Sequence, residues 1–218
     1  MQNDPPPGRL VTFGTGQPER RIGDSRTKRL CDCSVVFVLL IVISPAMLIV
    51  AALVALSGPG PILFRQNRTG RGGQVFQIFK FRTMYVCEDG PVVEQARERD
   101  ARVTPIGRIL RATSLDELPQ LFNVLIGDMS LVGPRPHAIA HDEHYAKLID
   151  GYTHRFCVRP GITGLAQIRG YRGEIRTLTC MENRVAADRE YIERWTPIFD
   201  AAILLRTIPR MMYDRHAY

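Results

Sequence analysis

CSVVFVLLIVISPAMLIVAALVAL, running from Cys33 to Leu56, is a stretch of 24 residues without a charge, and its reading decides what fold the chain can have. As a helix it would measure about 36 Å against a hydrocarbon core of about 30 Å, so it is long enough to enter a membrane. It begins too far from the N-terminus, and is too long, for the apolar part of a signal peptide. Ser44-Pro45 falls at its midpoint, where proline removes a backbone donor and breaks or kinks a helix. Arg20, Arg21, Arg26, Lys28 and Arg29 precede the stretch and Arg65, Arg68 and Arg71 follow it, so loop charge favours neither crossing direction. Two limbs of about 11 residues, each reaching about 16 Å, would place both basic flanks on the cytoplasmic side. The segment therefore reads as a re-entrant helix-break-helix hinged at Ser44 and Pro45. A Pro-kinked transmembrane helix is the competing reading.

Working outward, residues 1–29 are rich in Pro, Gly, Thr and Arg with almost no apolar periodicity, and read as a basic flexible tail. Residues 30–57 form the membrane element and 58–218 one catalytic domain, which is what 218 residues can support. The net charge of +7 and pI near 9.5 favour anionic partners, whether nucleic acid, phosphorylated small molecules or acidic lipid. The five cysteines form no CxxC pair, so neither a disulfide framework nor a zinc site is indicated, and a reducing, cytosol-facing environment fits.

After the turn SGPGP, the segments PILFRQ and QVFQIFKFRTM read as two strands joined by NRTGRGG, a β-hairpin. Lys80 and Arg82 share one face of the second strand, a pairing that suits a phosphate and also a solvated edge. Residues 86–103 read as a loop or an exposed helix. Thr104 and Pro105 then start a helix as N-cap and first residue, and Arg108 and Arg111 stand on one side of it.

Arg111–Pro136, RATSLDELPQLFNVLIGDMSLVGPRP, gathers an acidic pair, a helix start and two arginines. Ser114 with Glu117 fits a capping box, and apolar residues recur at helical spacing until Gly127. Pro119 argues for a start nearer Asp116, because an interior proline removes a hydrogen bond. Either start places Asp116 and Glu117 at the positive end of the helix, where they compensate the dipole in any case. Neighbouring helix residues point about 100° apart, so the two carboxylates take separate jobs: one a nucleophile, the other a ligand to a divalent cation. Arg135, held between two prolines, loses little entropy on gripping a phosphate.

Further on, AIAHDEHYAKLID reads as a helix. His137, His141 and His144 at its spacing raise a transition-metal reading, which the absence of another ligand with zinc-type spacing weighs against. RPGITGLAQIRGYRGE is a Gly-punctuated loop whose Arg159, Arg169, Arg172 and Glu174 read as active-site wall. A helix follows from about Leu178 to Trp195. The run IFDAAILLRTIPRMMY mixes apolar residues with Arg206 and Arg210, which suits either a membrane surface or the core, and Pro209 limits its length. Trp195 and Tyr213 are its candidate interfacial anchors. No dinucleotide-binding or P-loop glycine pattern occurs.

Together, the hydrophobic segment with its central Ser-Pro, FRQNRTGRGGQVFQIFKFRTM, TSLDELPQLFNVLIGDMSLVGPRP and RPGITGLAQIRGYRGE resemble the bacterial sugar transferases, the monotopic polyprenyl-phosphate phosphoglycosyl transferases. The resemblance covers about residues 28–218, and PRPHAIAHDEHYAKLIDGY, GYRGE and DRHAY are most similar to the undecaprenyl-phosphate glucose phosphotransferases of exopolysaccharide and colanic-acid type. It implies an α+β monotopic membrane protein: a re-entrant membrane segment, a small β-hairpin and a mainly helical catalytic domain with amphipathic interfacial helices. Relatives often carry four additional N-terminal transmembrane helices, so this chain resembles a minimal catalytic form.

The resemblance implies an activity as well. Asp116 would attack the β-phosphorus of a UDP-sugar, release UMP and carry the sugar phosphate to undecaprenyl phosphate. Mg2+ would sit on Glu117, with Arg111, Arg135, Lys80 and Arg82 at the phosphates. Glucose is the expected sugar, galactose or an N-acetylated sugar the alternative. The implied partners are a UDP-sugar, undecaprenyl phosphate and membrane lipid but no nucleic acid, with a homodimer left open, at the cytoplasmic face of the bacterial inner membrane. Two rivals remain. A membrane-tethered basic module for anionic lipid or nucleic acid leaves Asp116 and Glu117 without purpose. A metal-dependent membrane phosphatase differs in its products.

Overall fold

The computed structural model describes residues 25–85, 100–171, 173, 175 and 177–213, apart from the side chains at 208 and 210–213. The readings made at 1–24, at 86–99, at Arg172, Glu174 and DRHAY, and for the Arg210 and Tyr213 side chains therefore lie outside the described residues.

Helix α1 spans Arg26–Leu56, capped by Ser25, whose hydroxyl accepts from the Lys28 N–H at 3.2 Å. It runs as one helix through Pro45, where the sequence implied a break. The reason is local. Pro45 has no N–H to offer the Ile41 carbonyl four residues back, and the Ser44 hydroxyl donates to that oxygen at 3.2 Å instead. One stripe of α1, including Lys28, Asp32, Val36, Met47, Val50 and Val54, is buried against the rest of the protein. The opposite side exposes Phe37, Val42, Leu48 and Leu56, an apolar surface that requires cover other than water. The chain is thus membrane-associated.

Both ends of α1 are fastened to the same body. At the start, Lys28 pairs with Asp200 at 2.6 Å, Asp32 accepts from the Ser130 hydroxyl at 2.6 Å, and the Arg29 guanidinium donates to the carbonyls of Val124 and Leu125. At the far end the Arg82 guanidinium donates to the carbonyls of Val54 at 2.9 Å and of Gly58 and Pro59 at 2.7 Å each. The Val54 carbonyl also accepts from the Ser57 N–H and hydroxyl, so Arg82 adds a charged donor at the point where α1 ends and the chain turns toward β1.

Strands β1 (Leu63–Thr69) and β2 (Val75–Phe81) form the antiparallel hairpin expected, with Leu63 opposite Phe81 and Thr69 opposite Val75. Helix α2 (Pro105–Ala112) begins as read: the Thr104 hydroxyl accepts from the Gly107 N–H at 2.9 Å and Pro105 opens the helix. Helix α3 (Gln120–Ile126) ends on Gly127 at φ 112°, the left-handed conformation that glycine adopts at least cost. Strand β3 (Ser130–Val132) pairs in parallel with β4 (Gly161–Thr163). Between them lie α4 (Ile139–Leu148) and a 3-10 turn, Tyr152–Cys157, and after them α5 (Leu165–Ile168), α6 (Leu178–Arg194) and α7 (Pro197–Tyr213).

The fold is accordingly α+β. Its main core joins Val36 of α1 to Phe76 and Ile78 of β2, Val124 of α3, Tyr191 of α6 and Ile203 of α7. A second cluster packs Met47, Val50 and Val54 on Phe81 and Leu110. Helix α7 buries Ile203 in the core and leaves Ile198 and Leu205 exposed, and it continues through Pro209 rather than stopping there. Trp195 lies just beyond α6, and its indole N–H donates to Asp200 at 2.9 Å.

Candidate active site

The capping box at Ser114 does not form. Ser114 adopts φ 57°, the left-handed region, and makes no capping bond. The reversal it produces turns the chain from α2 into a 3-10 turn, Leu115–Glu117, that carries both carboxylates. The α-helix starts only at Gln120, so Pro119 stands at its cap, where a missing N–H costs nothing. Asn123, one turn into α3, accepts from the Phe79 N–H at 3.0 Å and donates to the Gln77 carbonyl at 2.7 Å. This side chain docks α3 on β2 and so brings the acidic turn up to Lys80.

Arg135 arrives from the other side. Gly133 and Gly161 approach so closely that a Cβ on either would collide with backbone, and the Gly161 N–H donates to the Pro134 carbonyl at 2.8 Å. From this braced loop the Arg135 guanidinium forks onto both oxygens of Glu117, one of them at 3.0 Å, while Lys80 Nζ reaches Glu117 Oε1 at 2.9 Å. Glu117 is thus clamped between two cations. Asp116 is buried to the same degree, yet among the described residues no cation pairs with it directly. Burial pushes its carboxyl up to about 6, a rise that the charges of Lys80, Arg111 and Arg135 oppose and that of Glu117 reinforces. Burial likewise lowers Lys80, against the pull of Glu117. Burial also works against the charge on Arg135, but the charge and hydrogen bonds of Glu117 outweigh it and hold the guanidinium above its usual value.

Arg111, in the last turn of α2, has Nη1 buried without a hydrogen-bond partner, and both ends of the buried Gln120 carboxamide are equally unpaired. Buried polar groups with no protein partner beside a charged cluster are groups that a bound ligand can satisfy. Three cations and two carboxylates leave the cluster with one net positive charge, which suits a diphosphate.

The family model for bacterial sugar transferases matches residues 23–214, a span containing every residue of this cluster. The chain belongs to the bacterial sugar transferase family. It is 50% identical over 213 residues to the UDP-glucose:undecaprenyl-phosphate glucose-1-phosphate transferase of Caulobacter vibrioides, covering 98% of this chain and 80% of that one. To the protein of the same name from Escherichia coli it is 51% identical over 191 residues, 88% of this chain and 41% of the other. To the UDP-N-acetylgalactosamine-undecaprenyl-phosphate N-acetylgalactosaminephosphotransferase of Aeromonas hydrophila it is 38% identical over 182 residues, 83% and 42% of the two chains. It therefore spans most of the Caulobacter relative and under half of the other two.

Of the residues singled out in this sugar transferase, Asp116, Glu117, Lys80, Arg111 and Arg135 converge. Arg82 does not join them. The strand expected to carry it beside Lys80 ends at Phe81, and its guanidinium is spent on the carbonyls of Val54, Gly58 and Pro59. Arg159 donates through Nε to the Gly127 carbonyl at 2.9 Å, and Arg169 pairs with Glu190 on the surface. The three histidines do not gather: His137 precedes α4 and is buried, while His141 and His144 lie on the helix with His144 exposed, and the described residues contain no metal-holding cluster of three or more His, Cys, Asp or Glu. The sequence reading missed the layer behind Arg135, made by Tyr152, Arg155 and Asp188, whose only local sign is a charged residue inside an apolar helical stripe.

Proposed function

We propose that this chain transfers glucose 1-phosphate from UDP-glucose to undecaprenyl phosphate, releasing UMP, through a covalent intermediate on Asp116. The activities named for the relatives from Caulobacter vibrioides and Escherichia coli supply the substrates. The contrast within the acidic pair supplies the mechanism: Glu117 is held by two cations, whereas Asp116 is buried among positive charges and paired with none. A carboxylate stripped of water and of a partner keeps its lone pair available for attack.

In the first step an Asp116 carboxylate oxygen bonds to the β-phosphorus as the bond from that phosphorus to the bridging oxygen breaks, its electron pair leaving with UMP. In the second, a phosphate oxygen of undecaprenyl phosphate attacks the same phosphorus and returns the Asp116 carboxylate. Arg111, whose Nη1 has no partner, and Arg135 bind the phosphate oxygens, while Lys80 keeps Glu117 ionised and oriented. Mg2+ suits this place, because Asp116 and Glu117 are adjacent buried carboxylates and the ion characteristically takes one or two carboxylates together with substrate phosphates. Glu117 is its ligand in this proposal, and the ion, when bound, supplies charge for the departing UMP.

The same reading makes α1 re-entrant in the topological sense, with the catalytic residues at 58–218 on the cytoplasmic side of the inner membrane. What supports it is the attachment of both helix ends to one body, through Lys28 and Arg29 at one and Arg82 at the other.

Purified protein given UDP-glucose and Mg2+ without acceptor should release up to one equivalent of UMP and gain the mass of a glucose phosphate. If neither occurs in a preparation that turns over once undecaprenyl phosphate is added, the lipid phosphate attacks directly and Asp116 acts as base or metal ligand instead.

A further inference from the structure

Arg155 lies in the Tyr152–Cys157 turn and is almost completely buried, with no contact to the acidic pair. Its Nη2 donates to the backbone carbonyl of Arg135 at 2.7 Å and to Asp188 of α6 at 3.0 Å. Its Nη1 donates to the Tyr152 hydroxyl at 2.9 Å and to Nδ1 of His137 at 2.6 Å. The Tyr152 hydroxyl in turn donates to Asp142 of α4 at 2.6 Å. One guanidinium therefore grips the Pro134–His137 loop at two points, on either side of Pro136, and ties it to α4 and α6.

Such a group is costly to bury. Burial disfavours its charge, and Tyr152, Asp188 and Asp142 more than restore it. His137 Nδ1 accepts from Arg155 only as a neutral ring, and burial followed by the charges of Arg155 and Arg184 holds the imidazole well below its usual value. A planar fork matches two acceptors on one side and two on the other, a geometry that a lysine ammonium cannot reproduce. For mere stability an apolar plug would serve as well as a buried ion pair. What the arginine adds is a fixed position for the Arg135 backbone, and hence for the guanidinium that holds Glu117.

We propose that Arg155 is a positioning residue for phosphoglycosyl transfer, acting through the Arg135 backbone to aim the Arg135 guanidinium at Glu117 and the donor diphosphate. This rests on the transferase reading, which wild-type UMP release from UDP-glucose tests separately. The decisive measurement is a double-variant cycle on the full chain in detergent or nanodiscs. Arg155→Lys should keep the fold, by thermal unfolding, yet lower kcat/KM for UDP-glucose about 10- to 100-fold. In an Arg135→Ala background the same change should cost less than about twofold, because the residue it aims is gone. Tyr152→Phe, which removes only a hydroxyl, should give a smaller loss with the same dependence on Arg135, and it decides the matter if Arg155→Lys does not fold. Losses that multiply independently of Arg135, or wild-type kinetics in Arg155→Lys, overturn the proposal. Failure of wild-type protein to release UMP even with undecaprenyl phosphate present overturns the transferase reading instead.

Discussion

Asp116 and Glu117 are bonded neighbours in similar burial, and the fold surrounds them differently: Glu117 receives Lys80 and Arg135, and Asp116 receives their field without their contacts. A difference in pH behaviour follows. A nucleophilic carboxylate must be ionised, so kcat/KM should rise with pH through about 6, the value to which burial lifts Asp116, and then level off. Stability runs the other way. The folded value lies above the unfolded one of 3.8, so between those limits the native state binds more proton, and stability falls as pH rises through the window. At about 1.4 kcal/mol per unit the loss reaches at most about 3 kcal/mol. Asp116→Asn should therefore abolish turnover while gaining thermal stability over wild type at pH 7.5 and not at pH 4. Glu117→Gln should weaken Mg2+ dependence and donor binding together, since a neutral amide is a poor ligand for that ion and leaves Lys80 and Arg135 unpaired. Isothermal binding at varied Mg2+ separates the two variants.

Among elements, α1 depends on small polar devices placed in a long apolar helix. In lipid, which offers no donor in place of water, Ser44→Ala should leave the Ile41 carbonyl unpaired, at a cost of about 1–3 kcal/mol. Pro45→Ala supplies the missing N–H, so the double variant should recover what Ser44→Ala alone loses. Thermal unfolding in nanodiscs reads all three, and additive effects would show that the hydroxyl does not substitute for the absent amide. Pro45→Ala should also lower activity by shifting some molecules toward a full span, since it removes the residue that disfavours an uninterrupted helix in lipid. Arg82→Met tests the other end. Three carbonyls lose a charged donor, each such bond contributing about 1.5–3 kcal/mol in favourable cases, so the variant should unfold well below wild type while donor binding in the folded fraction stays intact.

At the scale of the molecule, the candidate site and the long apolar helix belong to one body. Both ends of α1 carry bonds to the domain that holds Asp116, and the apolar surface between them faces away from it. An amphiphilic acceptor and a water-soluble nucleotide sugar can meet at such a boundary without either leaving its own medium. Single cysteines at Arg26 and Ile62, in a background without the native thiols, should both react with an impermeant reagent only from the cytoplasmic side. Labelling of position 26 from the periplasm would establish a spanning helix and remove the re-entrant reading.

Patterns that live in a few consecutive residues were sufficient for much of this. The uncharged run with Ser44-Pro45, the alternation of β2, the Thr104-Pro105 start of α2, the Gly127 stop of α3 and the pairing of Asp116 with Glu117 all follow from local periodicity, capping chemistry and backbone sterics. Ser114 shows where such rules end. The same Ser-x-x-Glu spacing that signals a capping box was overridden by the reversal needed between α2 and the acidic turn. Helices α1 and α7 likewise continue through prolines that local rules would have made breaks, and in α1 the Ser44 hydroxyl takes the carbonyl that Pro45 leaves. The arginines were the least legible. Arg82 finds its carbonyl 28 residues away and Arg155 its carboxylate 33 residues away, and a long, flexible side chain carries no periodicity that names its partner. Which cation serves the phosphates, which closes a helix and which braces a loop is decided only when distant segments are packed together, because a buried charge must take whatever acceptors the finished fold places within its reach.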